Sequence, residues 1–128
     1  MKTAMNIFVV AAGGALGSAA RYLINLSPAK SLFENFPFPT FLINVSGSFL
    51  IGFVTIFFTE RYAVSENMRL AFLVGFLGAY TTFSTFEFET WTLLKEGNYL
   101  TALGYVTMSV LLGFIALVAG IELAKRIG

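Results

Sequence analysis

Four long stretches of this chain carry almost no charge, and that pattern limits what it can fold into. They run from about Met5 to Leu26, Thr40 to Thr59, Arg69 to Trp91 and Tyr99 to Ala124. Each reaches the roughly 20 apolar residues that an α-helix needs to cross the hydrocarbon core of a bilayer. Together they use most of the 128 residues and leave only short connections. Only 12% of the chain is charged and 57% is hydrophobic, against about 25% charged in an ordinary soluble domain. With a mean hydropathy of +0.80, such a surface faces lipid rather than water. The expected architecture is an all-α membrane protein with one four-span domain over residues 1–128, in spans of about 5–26, 40–59, 69–91 and 99–124.

Composition also excludes chemistry. The chain has no cysteine, histidine or aspartate. Disulfides, thiolate or imidazole metal sites, Ser/His/Asp or Cys/His machinery and paired aspartates are therefore ruled out, and no enzymatic role is expected. A formal net charge of +1 without a basic run argues against nucleic acid as a partner.

The first run could be taken for a secretory signal, with Lys2 before it and small residues at Ser18-Ala19-Ala20. Cleavage there would leave three spans and start the product at Arg21-Tyr22, so a membrane span is the preferred reading. Pro28, Pro37 and Pro39 interrupt any helix between the first two runs. Phe33, Phe36 and Phe38 suit that connection to the membrane interface. If four spans alternate, Lys2, Arg61, Arg69, Lys125 and Arg126 share one membrane face, and Lys30 and Lys95 the other. This positive-inside bias is weak and leaves insertion in both orientations open.

Function is expected where a span breaks the apolar rule. Gly13-Gly14-Ala15-Leu16-Gly17 reads first as a seam for close helix packing. Arg21 is different, because a guanidinium at mid-membrane costs about 2.5–3.5 kcal/mol on insertion scales. It must snorkel, pair with carbonyls or a glutamate, or face a wet vestibule where it would attract anions. Asn44, Ser48 and Ile51 share one stripe of the second span. The Asn44 amide is either an interhelical hydrogen-bond partner or a donor lining a polar path.

The third span is the most informative. Gly75-Phe76-Leu77-Gly78-Ala79-Tyr80-Thr81-Thr82-Phe83-Ser84-Thr85-Phe86-Glu87 puts glycine, hydroxyls and aromatics in mid-span, where a broken helix is expected. Irregular backbone at that depth must be buried in protein or line a watery cavity. Its released carbonyls suit a hard cation, and half-helix ends attract ions. Phe83 and Phe86 share a face, and the positive edge of a phenyl ring can meet an anion without a fixed charge. Thr82, Ser84 and Thr85 add hydroxyl donors.

These segments resemble the Fluc (CrcB) family of fluoride channels over essentially the whole chain. Gly13 to Tyr22 matches the first-span Gly-Gly-x-x-Gly-x-x-x-Arg-Tyr, Asn44 to Phe49 matches Asn-Val-x-Gly-Ser-Phe, and Thr81 to Phe86 matches Thr-Thr-Phe-Ser-Thr-Phe. The resemblance implies a passive fluoride-selective channel in the cell inner (plasma) membrane, exporting cytoplasmic fluoride that entered as HF. It implies an antiparallel, dual-topology homodimer with two pores and a central structural sodium ion. Carried onto this chain, Phe83 and Phe86 would line the fluoride path, and Asn44 would donate to fluoride or orient the rings. Tyr105 would support the phenylalanines, with Ser109 and Thr107 as further polar contributors. Gly78 and Thr81 would offer backbone carbonyls to sodium, and Arg21 would face a vestibule or stabilise the assembly. The chain departs from the family pattern at Gly78-Ala79-Tyr80, where Gly-Gly and an apolar residue are usual, and at Pro39. Alanine accepts a left-handed backbone poorly, so an altered local path is expected at Ala79. The alternatives are a small proton-coupled exporter, for which Glu87 and Glu89 are the only candidate intramembrane acids, and a non-transporting scaffold.

Overall fold

The computed structural model describes residues 2–28 and 35–127. Lys30 and Phe33 lie outside the described residues. Helix α1 spans Lys2–Leu26 and gives way just before Pro28. Helix α2, Phe38–Ile56, follows Pro37 and continues as a π-helical turn over Phe57–Arg61. Its second residue is Pro39, a position where a missing N–H costs nothing because first-turn donors have no helical acceptor. Helix α3, Glu66–Arg69, is capped by Ser65 Oγ, which accepts from the Met68 N–H at 3.2 Å. It runs through a π-helical stretch, Leu70–Leu77, into the short α4, Gly78–Tyr80. Helix α5 spans Phe83–Lys95, and Gly97, with φ +83°, turns the chain into α6, Tyr99–Arg126.

These elements form four crossings: Lys2–Leu26, Phe38–Arg61, Glu66–Lys95 and Tyr99–Arg126. At 1.5 Å per residue each exceeds a hydrocarbon core of about 30 Å. The chain is thus a multi-pass, all-helical membrane protein whose third crossing is broken. Large apolar side chains cover its outside, among them Phe8, Leu16, Phe114 and Leu100, the last 85% exposed. Two contacts join the same ends that the charge pattern groups. Lys2 pairs with Glu66 at 3.5 Å, and Arg61 Nε donates to the Ala124 carbonyl at 3.2 Å.

Helix α2 lies along α6, and α1 lies along Leu70–Leu77. Lipid offers no hydrophobic drive between helices, so close backbone approach has to supply the contact. The glycines do this. A Cβ at Gly13 or Gly17 would strike the carbonyl of Ala71 or Phe76, and one at Gly52 or Gly120 would strike that of Leu117 or Phe49. The Gly13–Gly17 stretch is therefore a packing seam. Two small buried clusters flank the break: Ile43, Leu77 and Tyr80 on one side, and Leu93, Ala102 and Tyr105 on the other.

Candidate ion path at the broken helix

The third crossing leaves helical geometry at Thr81 (φ −79°, ψ 156°) and Thr82 (φ −150°, ψ 117°). Gly78 remains helical at φ −61°, ψ −36°, and Ala79 lies within α4. Among the described residues only Asn35 and Gly97 have positive φ. The break is thus later than the glycine suggested, and the altered path expected at Ala79 does not occur, because no left-handed residue is needed there.

Two extended residues inside a membrane helix expose backbone groups that the ladder would have paired, and each needs a partner. Asn44 supplies it. Its Nδ2 donates to the Thr82 carbonyl at 3.0 Å, and its Oδ1 accepts from the Thr82 N–H at 2.9 Å. The carboxamide thus acts as a substitute peptide group bridging α2 to the break. Thr82 Oγ1 then caps α5 by accepting from the Thr85 N–H at 3.3 Å. Thr81 closes the other end, its N–H and its Oγ1 both donating to the Leu77 carbonyl, at 3.1 and 2.9 Å. Gly47 lets Thr81 reach α2, since a Cβ there would overlap Thr81 Cγ2.

The break leaves two helix ends of opposite polarity facing each other. The N-terminus of α5 presents first-turn N–H groups and a partial positive charge, which favours anions. The C-terminus of α4 presents carbonyls. The Thr82 N–H goes to Asn44, so the Gly78 carbonyl lacks its usual donor. Likewise the Thr85 N–H goes to Thr82 Oγ1, so the Thr81 carbonyl lacks its own. Such neutral oxygens are the donor type a hard cation takes, and they fit a sodium ion. Two from one chain would fill only part of its shell. Among the described residues, no group of three or more acidic or metal-ligating side chains exists that would compete for a metal.

Beside these ends lies a groove of about 370 Å³. Asn44, Gly47, Ser48 and Ile51 line it from α2, Gly78, Thr81, Thr82, Phe83 and Phe86 from the third crossing, and Ser109 from α6. Three separate sequence features therefore meet in one place. The Phe83 and Phe86 rings are 6.0 Å apart at 46°. Phe83 is 70% exposed on the single chain, whereas Phe86 leans on Tyr105 with centroids 5.0 Å apart at 60°. Ser109 Oγ is buried and has no hydrogen-bond partner, so it is a donor held beside the groove. Ser84, exposed on α5, and Thr85 do not line the groove, nor do Thr107 and Arg21.

The structure supplies three sets of partners that the sequence did not identify. Arg21, the charge in the first span, is held by α4, with its Nε donating to the Ala79 carbonyl at 3.0 Å. Tyr80 Oη and Ser46 Oγ are 2.9 Å apart. Ser46 Oγ also donates to the Ile43 carbonyl at 3.1 Å, which makes Tyr80 the donor of that pair. Finally, Tyr105, fully buried, donates its hydroxyl to Glu89 Oε1 at 2.8 Å. Thr40, 1% exposed, completes this cluster; its Oγ1 makes no well-formed hydrogen bond but lies close enough to Glu89 and Tyr105 to interact with both. Glu89 was already one of two candidate intramembrane acids, but its partners lie on other crossings, Thr40 on α2 and Tyr105 on α6, which no local pattern shows.

Comparison with known proteins agrees with this geometry. The model of the family described as CrcB-like protein, Camphor Resistance (CrcB), matches residues 8–121. A protein of Methylococcus capsulatus named fluoride-specific ion channel FluC is 46% identical over 96% of this chain, which spans about half (54%) of that relative. Proteins of the same name from Nitrobacter winogradskyi and Solibacter usitatus are 45% and 43% identical over 94% and 95% of this chain, and over 96% and 100% of their own lengths. With the broken third crossing and the second- and third-span motifs that meet beside it, these matches establish that the chain belongs to the CrcB family, whose compared members are named ion channels.

Proposed function

We propose that this chain forms a passive, fluoride-selective channel that exports cytoplasmic fluoride across the plasma membrane. The observation that carries the reading is the convergence of Asn44, Phe83, Phe86 and Ser109 on one groove at the positive end of α5. Fluoride is small and strongly hydrated, so its path must replace water with donors and avoid a charge that would trap it. Among the described residues, none with an ionisable side chain lines the groove. The remaining Nδ2 hydrogen of Asn44, the Ser109 hydroxyl and the ring edges of Phe83 and Phe86 are weak donors of the required sign.

The working unit is an antiparallel homodimer with two pores and a central sodium ion. Its support is the incompleteness of the single chain. Gly78 and Thr81 supply two free carbonyls where a sodium ion takes more, and a second copy meeting the same surface would double the set. Phe83, exposed on one chain, would then be covered. In that assembly the Gly78 and Thr81 carbonyls of both chains would hold the sodium ion, and its charge would offset the carbonyl ends of the α4 helices.

Efflux from liposomes tests transport directly. Purified protein should release fluoride only when a potassium ionophore removes the charge imbalance. Release without the ionophore, driven by a proton gradient, would favour a coupled exporter. That second reading has one observation behind it, the half-buried Glu89 under Tyr105. Substituting Glu87 and Glu89 together by Gln separates the two, because an exporter would lose all transport while a channel would retain charge-shunted flux. Total absence of fluoride release under both conditions would leave the scaffold.

A further inference from the structure

We infer that Arg21 is a positioning residue that decides which carbonyls at the break can reach a cation. This rests on the sodium reading above and goes beyond it by naming what restricts the ligand set. The C-terminal end of α4 carries consecutive carbonyls at Leu77, Gly78, Ala79, Tyr80 and Thr81. Leu77 is taken by the Thr81 N–H and hydroxyl. Ala79 is taken by Arg21 Nε at 3.0 Å, from the α1 side. Gly78 and Thr81, in contrast, line the groove, which lies toward α2 and α6, and Ala79 does not.

Arg21 therefore does two things to this helix end. Its charge-assisted hydrogen bond holds the Ala79 carbonyl toward α1, away from the groove. Its positive charge offsets the negative end of α4, a role that a cation at the groove would otherwise fill alone. The packing keeps α1 close to this helix end, since a Cβ at Gly13 or Gly17, on the turns before Arg21, would strike the carbonyl of Ala71 or Phe76. Arg21 is held in turn within α1, where Asn25 Nδ2 donates to its carbonyl at 3.1 Å.

Carbonyl ¹³C resonances in the full chain, reconstituted in lipid bilayers, read this directly. Ala79-Tyr80 is the only Ala-Tyr step in the sequence and Thr81-Thr82 the only Thr-Thr step. Pairwise carbonyl and nitrogen labelling therefore isolates each carbonyl. On exchange of sodium for N-methylglucamine, the Thr81 carbonyl should shift and the Ala79 carbonyl should stay in place. In Arg21→Met the Ala79 carbonyl should become sodium-sensitive, and Arg21→Lys, which keeps charge and a donor, should restore its silence. A wild-type Ala79 carbonyl that moves with sodium as much as Thr81 does overturns the inference while leaving the sodium site intact. So does an Ala79 carbonyl still silent in Arg21→Met. A Thr81 carbonyl insensitive to sodium in the wild type overturns the sodium reading and this inference with it. Because the first comparison uses the unmodified protein, a variant that fails to fold does not remove the test.

Discussion

Replacing Asn44 by Ala should loosen the break before it does anything else. The side chain makes both hydrogen bonds that satisfy the Thr82 backbone, at 3.0 and 2.9 Å. Alanine leaves one N–H and one C=O without partners, at a cost of about 1–3 kcal/mol each. Water admitted by the smaller side chain recovers part of this, so a net loss of about 3 kcal/mol is expected, or roughly a hundredfold in a local opening equilibrium. Amide hydrogen exchange in bilayers measures that equilibrium, and the unique Thr81-Thr82 step identifies the Thr82 N–H. Its exchange should rise about a hundredfold in Asn44→Ala, with fluoride flux lost. Asn44→Asp separates structure from conduction. It keeps an acceptor for the Thr82 N–H, so that amide stays protected, but it sets a negative charge in the groove and should abolish flux. An unchanged Thr82 exchange rate in Asn44→Ala would show that the clamp does not hold the break, and would refute the reasoning.

Other substitutions test neighbouring parts of the site. Phe83→Ile and Phe86→Ile should each cut fluoride flux by more than about tenfold with the dimer intact on size exclusion, and Phe86→Ile should also lower the melting temperature, because Phe86 packs on Tyr105. Gly47→Ala should destabilise the protein by about 1–3 kcal/mol, since its Cβ overlaps Thr81 Cγ2 and forces α2 from the break; a neutral melting temperature would contradict that contact. Tyr105→Phe removes the hydrogen bond to Glu89 and should cost about 1.5–3 kcal/mol in thermal unfolding, and Glu89→Gln in the same background should add less than it does alone.

The spans were legible because the membrane imposes a length and a lack of charge that nothing else in a short chain reproduces. The broken third crossing was legible too, since glycine and a dense hydroxyl cluster have little use inside a plain membrane helix. Its position was legible only to within a few residues. Gly78 drew attention to a place where the helix in fact continues, and Thr81-Thr82 leaves it because Asn44, 38 positions earlier, replaces the lost backbone bonds. A contact of that sequence separation lies in no local pattern. The same holds for Arg21, whose charge marked it while its partner, the Ala79 carbonyl, could be any backbone oxygen in reach. Ser84 and Thr85 show the opposite failure. Residue type suggested donors, but successive helical residues point about 100° apart, and these two turn out of the groove.

The groove at the break is expected to conduct fluoride and to reject other anions. Parallel efflux of fluoride and chloride from liposomes containing the purified protein, with a potassium ionophore present, tests it most directly. Fluoride should be released rapidly, and chloride no faster than from protein-free liposomes. Equal release of both anions, or none of either, would contradict it.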